Sequence, residues 1–131
     1  MSDLIATMID AAKKNLKHAY APYSKYQVAS CLVTEDGSLF TGVNVENGSY
    51  GLTICAESSA ICQMITAGKK KIKALVVMNG EGTLCHPCGA CRQRIAEFST
   101  KSTVIHLCNH QSVLNSYTID ELIPHVFKLK R

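Results

Sequence analysis

The sequence predicts an α/β fold in which one mixed β-sheet has helices packed on its faces. Three observations predict it: an amphipathic helix pattern over residues 3–20, a hairpin pattern over residues 27–45, and helix and strand patterns that alternate from there to residue 107. The chain has 131 residues, of which 47% are apolar, enough for one core without resembling a membrane protein. We therefore expect residues 1–131 to form a single domain.

The first helix is predicted from apolar residues that recur at three- and four-residue steps. They are Leu4, Ile5, Met8, Ile9, Ala12, Leu16 and Ala19. Ser2 can cap the start of this helix, and Pro22 stops it. Strand patterns over 27–33 and 39–45 follow, and the turn residues between them indicate a β-hairpin.

Two more helices alternate with two more strands. Residues 55–67 predict a second helix that Gly68 ends, and residues 88–98 predict a third. The short apolar segments 74–78 and 103–107 are typical of buried strands.

The C-terminal region predicts a last strand and a short helix. The strand covers residues 113–117, and Thr118 can cap a helical turn that runs to Ile123 and is closed by Pro124.

The charge pattern argues against a nucleic-acid partner, and the hydropathy pattern argues against a membrane partner. Much of the net charge of +4 lies in residues 68–73 and in Lys128, Lys130 and Arg131. No aromatic residues alternate with these cations as base stacking would require, so we predict a solvated turn and a solvated tail. No apolar run approaches the ~18 residues of a spanning helix, and the first residues lack a signal-peptide pattern. We expect a cytoplasmic location.

Seven cysteines are many for a chain in a reducing compartment, where disulfides are rare. Metal ligands, a reactive thiol or small buried side chains account for such a count. Cys31, Cys62 and Cys108 lie among apolar residues, and we predict that they belong to the core.

The remaining cysteines open the two later helices and predict a catalytic zinc site. Cys55 comes two residues before Glu57, and Cys88 and Cys91 form a Cys-x-x-Cys pair after Pro87. Zinc prefers four tetrahedral ligands, and a catalytic site keeps one position for water. Three cysteines leave that position free, and Glu57 can reach the water without binding the metal. The paired motifs resemble the signature pattern of the zinc deaminases.

Two alternatives use the same cysteines differently. Cys88 and Cys91 alone could form a thioredoxin-type redox pair, which would leave Cys55 and Glu57 unexplained. Cys85 could supply a fourth ligand and close a structural zinc site that activates no water. Glu57 would then be only a helix-start carboxylate favoured by the helix dipole.

Five segments, at residues 21–26, 40–47, 53–57, 87–93 and 122–127, together carry a resemblance over nearly the whole chain. They resemble the motifs of the small, homotetrameric cytidine deaminases. The resemblance implies a three-layer α-β-α sandwich with a five-stranded mixed sheet. It also implies hydrolytic deamination of cytidine and 2′-deoxycytidine to uridine and 2′-deoxyuridine, with release of ammonia, in pyrimidine salvage.

The resemblance assigns roles at the metal site. One Zn²⁺ per subunit would be held by Cys55, Cys88 and Cys91. Glu57 would be the catalytic residue that moves protons. Zinc lowers the pKa of a water that it binds, and Glu57 would then protonate the cytosine ring nitrogen and the leaving amino group.

The resemblance also assigns substrate contacts. Asn44 and Glu46 would bind the ribose hydroxyls, although both residue types are also common in exposed turns. Tyr26 would pack on the pyrimidine, although an aromatic here could equally be a hydrophobic plug. Ala56 is also expected to contact the substrate. Tyr50 and Phe127 would reach into a neighbouring subunit's pocket in the homotetramer.

Three residues depart from the family pattern. Tyr26 stands where Phe is usual, so its hydroxyl needs a partner. Gln27 stands where Pro is common, which favours a less rigid loop. Ser58 replaces an Arg that in many relatives hydrogen-bonds a zinc-bound thiolate. We hypothesise that the helix N-termini at Cys55 and Cys88 offset most of the thiolate charge here, and that Ser58 adds a neutral hydrogen bond.

Other functions fit part of the pattern. A deaminase of an antibiotic cytosine nucleoside of the blasticidin S type would share the metal motifs, but the Asn44 and Glu46 match favours a ribose. A nucleic-acid-editing deaminase would need an insertion that binds a strand. A non-enzymatic zinc module predicts that Glu57→Gln is harmless.

Overall fold

The computed structural model describes residues 2–129, so Lys130 and Arg131 of the basic tail lie outside the described residues. The strands are β1 (Val28–Thr34), β2 (Leu39–Val43), β3 (Ile72–Asn79), β4 (Ser99–Cys108) and β5 (Val113–Thr118). The helices are α1 (Asp3–Asn15), α2 (Ala56–Thr66), α3 (Gly89–Glu97) and α4 (Ile119–Leu122), with 3₁₀ turns at Leu16–His18 and Tyr50–Leu52. Within residues 2–129, no helix has the length and apolar character needed to cross a membrane.

The five strands form one mixed sheet in the order β2-β1-β3-β4-β5. β3 and β4 are parallel, and the other neighbouring pairs are antiparallel. A parallel pair needs a crossover connection, and α3 lies in that connection between β3 and β4. The predicted five-stranded mixed sheet is therefore confirmed.

Helices cover both faces of the sheet. On one face α1 packs Met8, Ile9 and Ala12 against apolar residues of β1 and β3. On the other face α2, α3 and α4 pack on the opposite side chains of β1, β3 and β4. All seven residues of β1 are buried because this strand has neighbours on both edges and helices on both faces. The three-layer α-β-α arrangement is confirmed.

The first helix and the second strand are shorter than predicted. α1 ends at Asn15 because Tyr20 leaves the helix to pair with the segment after β2. The Tyr20 N–H donates to the carbonyl of Asn44 at 3.0 Å. β2 ends at Val43, and Val45 beyond it forms an isolated bridge instead of extending the strand.

The fourth strand is longer than the predicted 103–107, because side chains stabilise an irregular stretch at its start. Thr103 Oγ1 donates to the carbonyl of Ile72 at 2.6 Å and so joins this stretch to β3. Thr118 caps α4 through a capping box with Glu121, as its position predicts.

The cysteines predicted to be core residues divide into two groups. Cys31 and Cys108 are fully buried, which confirms their prediction. Cys62 is exposed, so its prediction is wrong. It lies on the face of α2 that points away from the sheet, whereas Ala60, Ile61 and Met64 occupy the buried face. Apolar sequence neighbours did not distinguish the two faces.

Candidate metal centre and catalytic cavity

The N-termini of α2 and α3 bring the two cysteine motifs together. Cys55 is the N-cap residue of α2, and Cys88 is the N-cap residue of α3. α2 can lie close to β2 because residue 42 is glycine: a methyl group there would sit 2.3 Å from the backbone nitrogen of Ala60 and 2.5 Å from the carbonyl oxygen of Ala56. The close approach fixes the start of α2, and with it Cys55, against the sheet.

Three thiols converge at this point. The sulfurs of Cys55, Cys88 and Cys91 all lie within 4.8 Å of one another, and those of Cys55 and Cys88 are 3.7 Å apart. Two sulfurs bound tetrahedrally at about 2.3 Å from zinc would be about 3.8 Å apart. The donor set therefore fits a zinc ion and leaves one tetrahedral position open. Cys85 is not part of this group of thiols, so the structure does not support Cys85 as the fourth ligand of a closed structural zinc site.

The burial of Cys91 affects the charge that its sulfur can carry. Cys91 is fully buried. Burial, followed by the neighbouring carboxylate of Glu57, raises the pKa of the Cys91 thiol. A bound divalent cation stabilises the thiolate and reverses this preference, as metal sites with deprotonated ligands require.

Glu57 is a buried carboxylate beside the three thiols. Its side chain is only 4% exposed, at the second position of α2. Burial raises the pKa of Glu57. Glu57 lines the same cavity as Cys55 and Cys88 and is not one of the three grouped donors. The structure thus places the predicted catalytic carboxylate next to the predicted ligands.

Cys55 and Cys88 of the three-cysteine cluster line a cavity of about 210 Å³, called the metal cavity below. Its walls include the predicted substrate residues Tyr26, Asn44 and Ala56, together with Cys85 and His86. Its mixed apolar and polar walls are typical of a site for a small molecule.

Tyr26 has the hydroxyl partner that its departure from the family pattern requires. The side-chain nitrogen of Asn79 donates to the Tyr26 hydroxyl at 2.9 Å. Asn79 is itself fully buried at the end of β3 and also bonds to Thr83. Burial, followed by the thiol of Cys85, raises the pKa of the Tyr26 phenol. The ring is held at the cavity wall by these contacts.

Asn44 is fixed by the backbone on both sides of its amide. Its nitrogen donates to the carbonyl of Tyr26 at 2.8 Å, and its oxygen accepts from the N–H of Val28 at 2.9 Å. These two bonds join the loop before β1 to the end of β2 and hold the Asn44 side chain in the wall of the metal cavity.

Glu46 lies in an adjoining cavity of about 340 Å³. Its carboxylate accepts from the N–H groups of Tyr23 and Ser24 at 3.0 and 3.1 Å, and also from the Ser24 hydroxyl. The hydrogen bond from the Ser24 hydroxyl is the main reason that the pKa of Glu46 is below its usual value. Thr53 lines both cavities, so the structure brings Glu46 next to the metal cavity without placing it inside.

Tyr50 and Phe127 point towards solvent. Tyr50 is 77% exposed and Phe127 is 68% exposed. The ring of Tyr50 contacts that of Tyr23 edge to face, with 6.1 Å between centroids. The backbone of Phe127 pairs with the Gln93 side chain, which donates to its carbonyl at 3.0 Å.

Sequence reasoning missed one residue next to the cluster. Ser58 contacts the sulfur of Cys91, and Arg94 donates to the Ser58 hydroxyl. The signal was present but faint, because Arg94 follows Cys91 by three residues and therefore shares its helix face.

Together these features define the class of protein: an enzyme with a zinc site of three cysteines and an adjacent carboxylate at two helix N-termini. The sequence profile described as the zinc-binding region of cytidine and deoxycytidylate deaminases matches residues 2–107. The chain belongs to this family. The predicted family, the zinc cofactor and the enzymatic nature of the chain are confirmed at this level.

Individual relatives support the assignment over most of the chain. A cytidine deaminase of Sporosarcina psychrophila is 40% identical over 94% of this chain and 90% of its own length. A probable cytidine deaminase of Dictyostelium discoideum is 42% identical over 91% of this chain and 80% of its own length. The crystal structure of cytidine deaminase from Burkholderia pseudomallei has a TM-score of 0.87 and 38% identity over 97% of this chain and all of its own. That from Mycobacterium tuberculosis has a TM-score of 0.84 and 32% identity over 98% of this chain and all of its own.

Proposed function

We propose that the chain is a hydrolase that converts cytidine and 2′-deoxycytidine to uridine and 2′-deoxyuridine, with release of ammonia, in pyrimidine salvage. The observation that carries the proposal is the buried carboxylate of Glu57 beside three converging thiols, two of which line the same cavity as Glu57. Family membership supports the same reaction.

Cys55, Cys88 and Cys91 would hold the metal. A bound zinc ion would lower the pKa of a water molecule, so that this water could attack the substrate near neutral pH. Glu57 accepts a proton from the attacking water and donates a proton to ring nitrogen N3 of cytosine while C4 is attacked. Glu57 then takes the proton of the new hydroxyl group on C4 and gives it to the amino group; the C4–N bond breaks, C4 becomes a carbonyl carbon, and ammonia leaves. Because Glu57 is buried, these transfers occur away from bulk water.

Substrate binding is assigned to the two adjoining cavities. The pyrimidine occupies the metal cavity against Tyr26 and Ala56, and the ribose extends towards Glu46 past the shared wall at Thr53. Asn44 stands in the metal cavity, where it faces the sugar end of the nucleoside. The Glu46 carboxylate keeps lone pairs free for a ribose hydroxyl beyond its bonds to the loop.

We also propose that the chain forms a homotetramer in a reducing compartment, the cytoplasm. Aromatic residues are enriched at subunit interfaces, and Tyr50 and Phe127 are exposed aromatic residues. All seven cysteines are unpaired, as a reducing compartment favours. Light scattering after gel filtration tests the assembly: a mass of four chains supports it, and a monomer contradicts it.

A substrate panel tests the reaction. Purified zinc-loaded protein is incubated with cytidine, 2′-deoxycytidine, free cytosine or a blasticidin S-type nucleoside, and deamination is followed by ultraviolet absorbance and by ammonia. We expect rapid turnover of both nucleosides and poor turnover of free cytosine, which lacks the sugar. Turnover of the blasticidin S-type nucleoside alone would indicate that the chain is a deaminase of antibiotic nucleosides. No turnover of any substrate would favour a structural zinc module.

A further inference from the structure

The structure links a cation to one thiol of the metal cluster. The hydroxyl of Ser58 lies 3.4 Å from the sulfur of Cys91, and the guanidinium of Arg94 donates to the same hydroxyl at 3.1 Å. We propose that Arg94, acting through Ser58, is a positioning residue that holds the sulfur of Cys91 in place as a ligand and thereby strengthens zinc binding. The inference rests on the proposed zinc-dependent function and extends it.

The two helices fix this contact. Cys91 and Arg94 are three residues apart on α3, so their side chains lie on one helix face. Ser58 is in the first turn of α2 and only 6% exposed. The neighbouring cation of the same helix, Arg92, donates instead to the carbonyls of Pro87 and Leu122. Arg94 is thus the cation that its helix directs to Ser58.

The direction of the hydrogen bonds follows from the groups present. A hydroxyl has one proton to donate and two lone pairs to accept with. Because arginine only donates, the Ser58 oxygen accepts from Arg94 and its proton remains free for Cys91. A metal-bound cysteine sulfur can only accept, so one chain of hydrogen bonds runs from Arg94 through Ser58 to Cys91. Bonds in such a chain strengthen one another.

The contact from Arg94 through Ser58 to Cys91 brings a positive charge near a negatively charged metal site. Three thiolates and one divalent ion leave a net charge of −1, and the carboxylate of Glu57 lies beside them. The positive charge of Arg94, which is exposed but lies two hydrogen bonds from the Cys91 sulfur, stabilises this negative charge. From the sequence, we expected the helix N-termini at Cys55 and Cys88 to offset most of the thiolate charge. The positive charge of Arg94 acts together with these N-termini.

Zinc affinity measured without turnover tests the inference. The apparent dissociation constant is determined by competition with a chromophoric chelator at one pH for the parent and for Arg94→Gln, Arg94→Lys, Ser58→Ala and the double variant of Arg94→Gln with Ser58→Ala. We expect Arg94→Gln and Ser58→Ala each to weaken zinc binding about tenfold, a typical effect of partners that orient metal ligands. Arg94→Lys should keep most of the affinity because it keeps the charge. The double variant should have about the same dissociation constant for zinc as the more affected single variant, because both changes break the same chain of hydrogen bonds.

Lys73→Gln is the matched control, since it removes an exposed cation on β3 and changes the net charge equally. Circular dichroism of each variant verifies that it is folded. Affinities of Arg94→Gln and Ser58→Ala equal to that of Lys73→Gln would overturn the inference. If the parent binds zinc and deaminates cytidine while these variants match it, the inference alone fails. A parent that binds no zinc would overturn the proposed function as well.

Discussion

The side-chain nitrogen of Asn79 donates to the hydroxyl of Tyr26 at 2.9 Å and holds the aromatic ring in the wall of the metal cavity. Asn79 also donates to Thr83 at 2.8 Å, so it keeps one partner if the tyrosine hydroxyl is removed. The ring can therefore serve substrate packing while its hydroxyl serves the fold.

Tyr26→Phe should leave cytidine turnover close to that of the parent and lower the free energy of unfolding by about 1 kcal/mol, the usual net value of one hydrogen bond. Tyr26→Ala removes the ring and should raise KM for cytidine clearly. Steady-state kinetics and urea denaturation of the same samples separate the two effects. Loss of turnover in Tyr26→Phe would mean that the hydroxyl takes part in the reaction.

Glu57→Gln should reduce kcat for cytidine by about 10³-fold, because an amide cannot accept and return the protons of the reaction. Zinc content, measured by mass spectrometry of the metal, should stay at the parent level. The matched control is Glu97→Gln, which changes an exposed carboxylate on α3 in the same way. Retained turnover in Glu57→Gln would remove this carboxylate from the mechanism.

Glu46→Gln distinguishes a ribose contact from a purely structural bond. The carboxylate already accepts from Tyr23 and Ser24, so the change should lower stability modestly under either account. If Glu46 also binds the ribose, KM for cytidine should rise about tenfold, as for loss of a charge-assisted hydrogen bond. Glu35→Gln, at an exposed turn position, is the control. An unchanged KM with a lower melting temperature would assign Glu46 to the fold alone.

Gly42→Ala should disturb the metal site from the opposite side of α2. The added methyl group would meet the backbone of Ala56 and Ala60 at 2.5 and 2.3 Å, and the helix backbone cannot rotate away as a side chain would. We expect a loss of about 1–3 kcal/mol in stability, typical of overpacking, and weaker zinc binding because α2 carries Cys55 at its start. Gly80→Ala is the control, since its methyl group meets only ordinary contacts at 3.8 Å or more. Equal stability of the two variants would contradict the close packing of α2.

The sequence was sufficient for those parts of the site that depend on local patterns. Cys55 and Glu57 at one helix start and Cys88 and Cys91 at another could be placed because caps and short spacings are local properties. Contacts between distant residues could not be placed. Arg94 and Ser58 are 36 residues apart, and Asn79 and Tyr26 are 53 apart. Such pairs depend on how α2, α3 and the sheet pack together.

The same limit explains the errors in the fold. The helix pattern of the first segment continued past Asn15, but Tyr20 pairs with Val45 across the chain. The apolar neighbours of Cys62 suggested burial, but its exposure depends on which face of α2 meets the sheet. In each case tertiary packing overrides a local preference.

The most direct test of the account is a zinc titration of metal-free protein in which ammonia release from cytidine is measured at each step. Turnover should rise in proportion to added zinc and reach its plateau at one zinc per chain. Cys88→Ser should stay near zero throughout, whereas Cys62→Ser, which changes an exposed cysteine outside the cluster, should titrate like the parent. Full turnover of the metal-free protein, or zinc-loaded protein that releases no ammonia, would contradict the central claim that three cysteines hold a zinc ion for cytidine deamination.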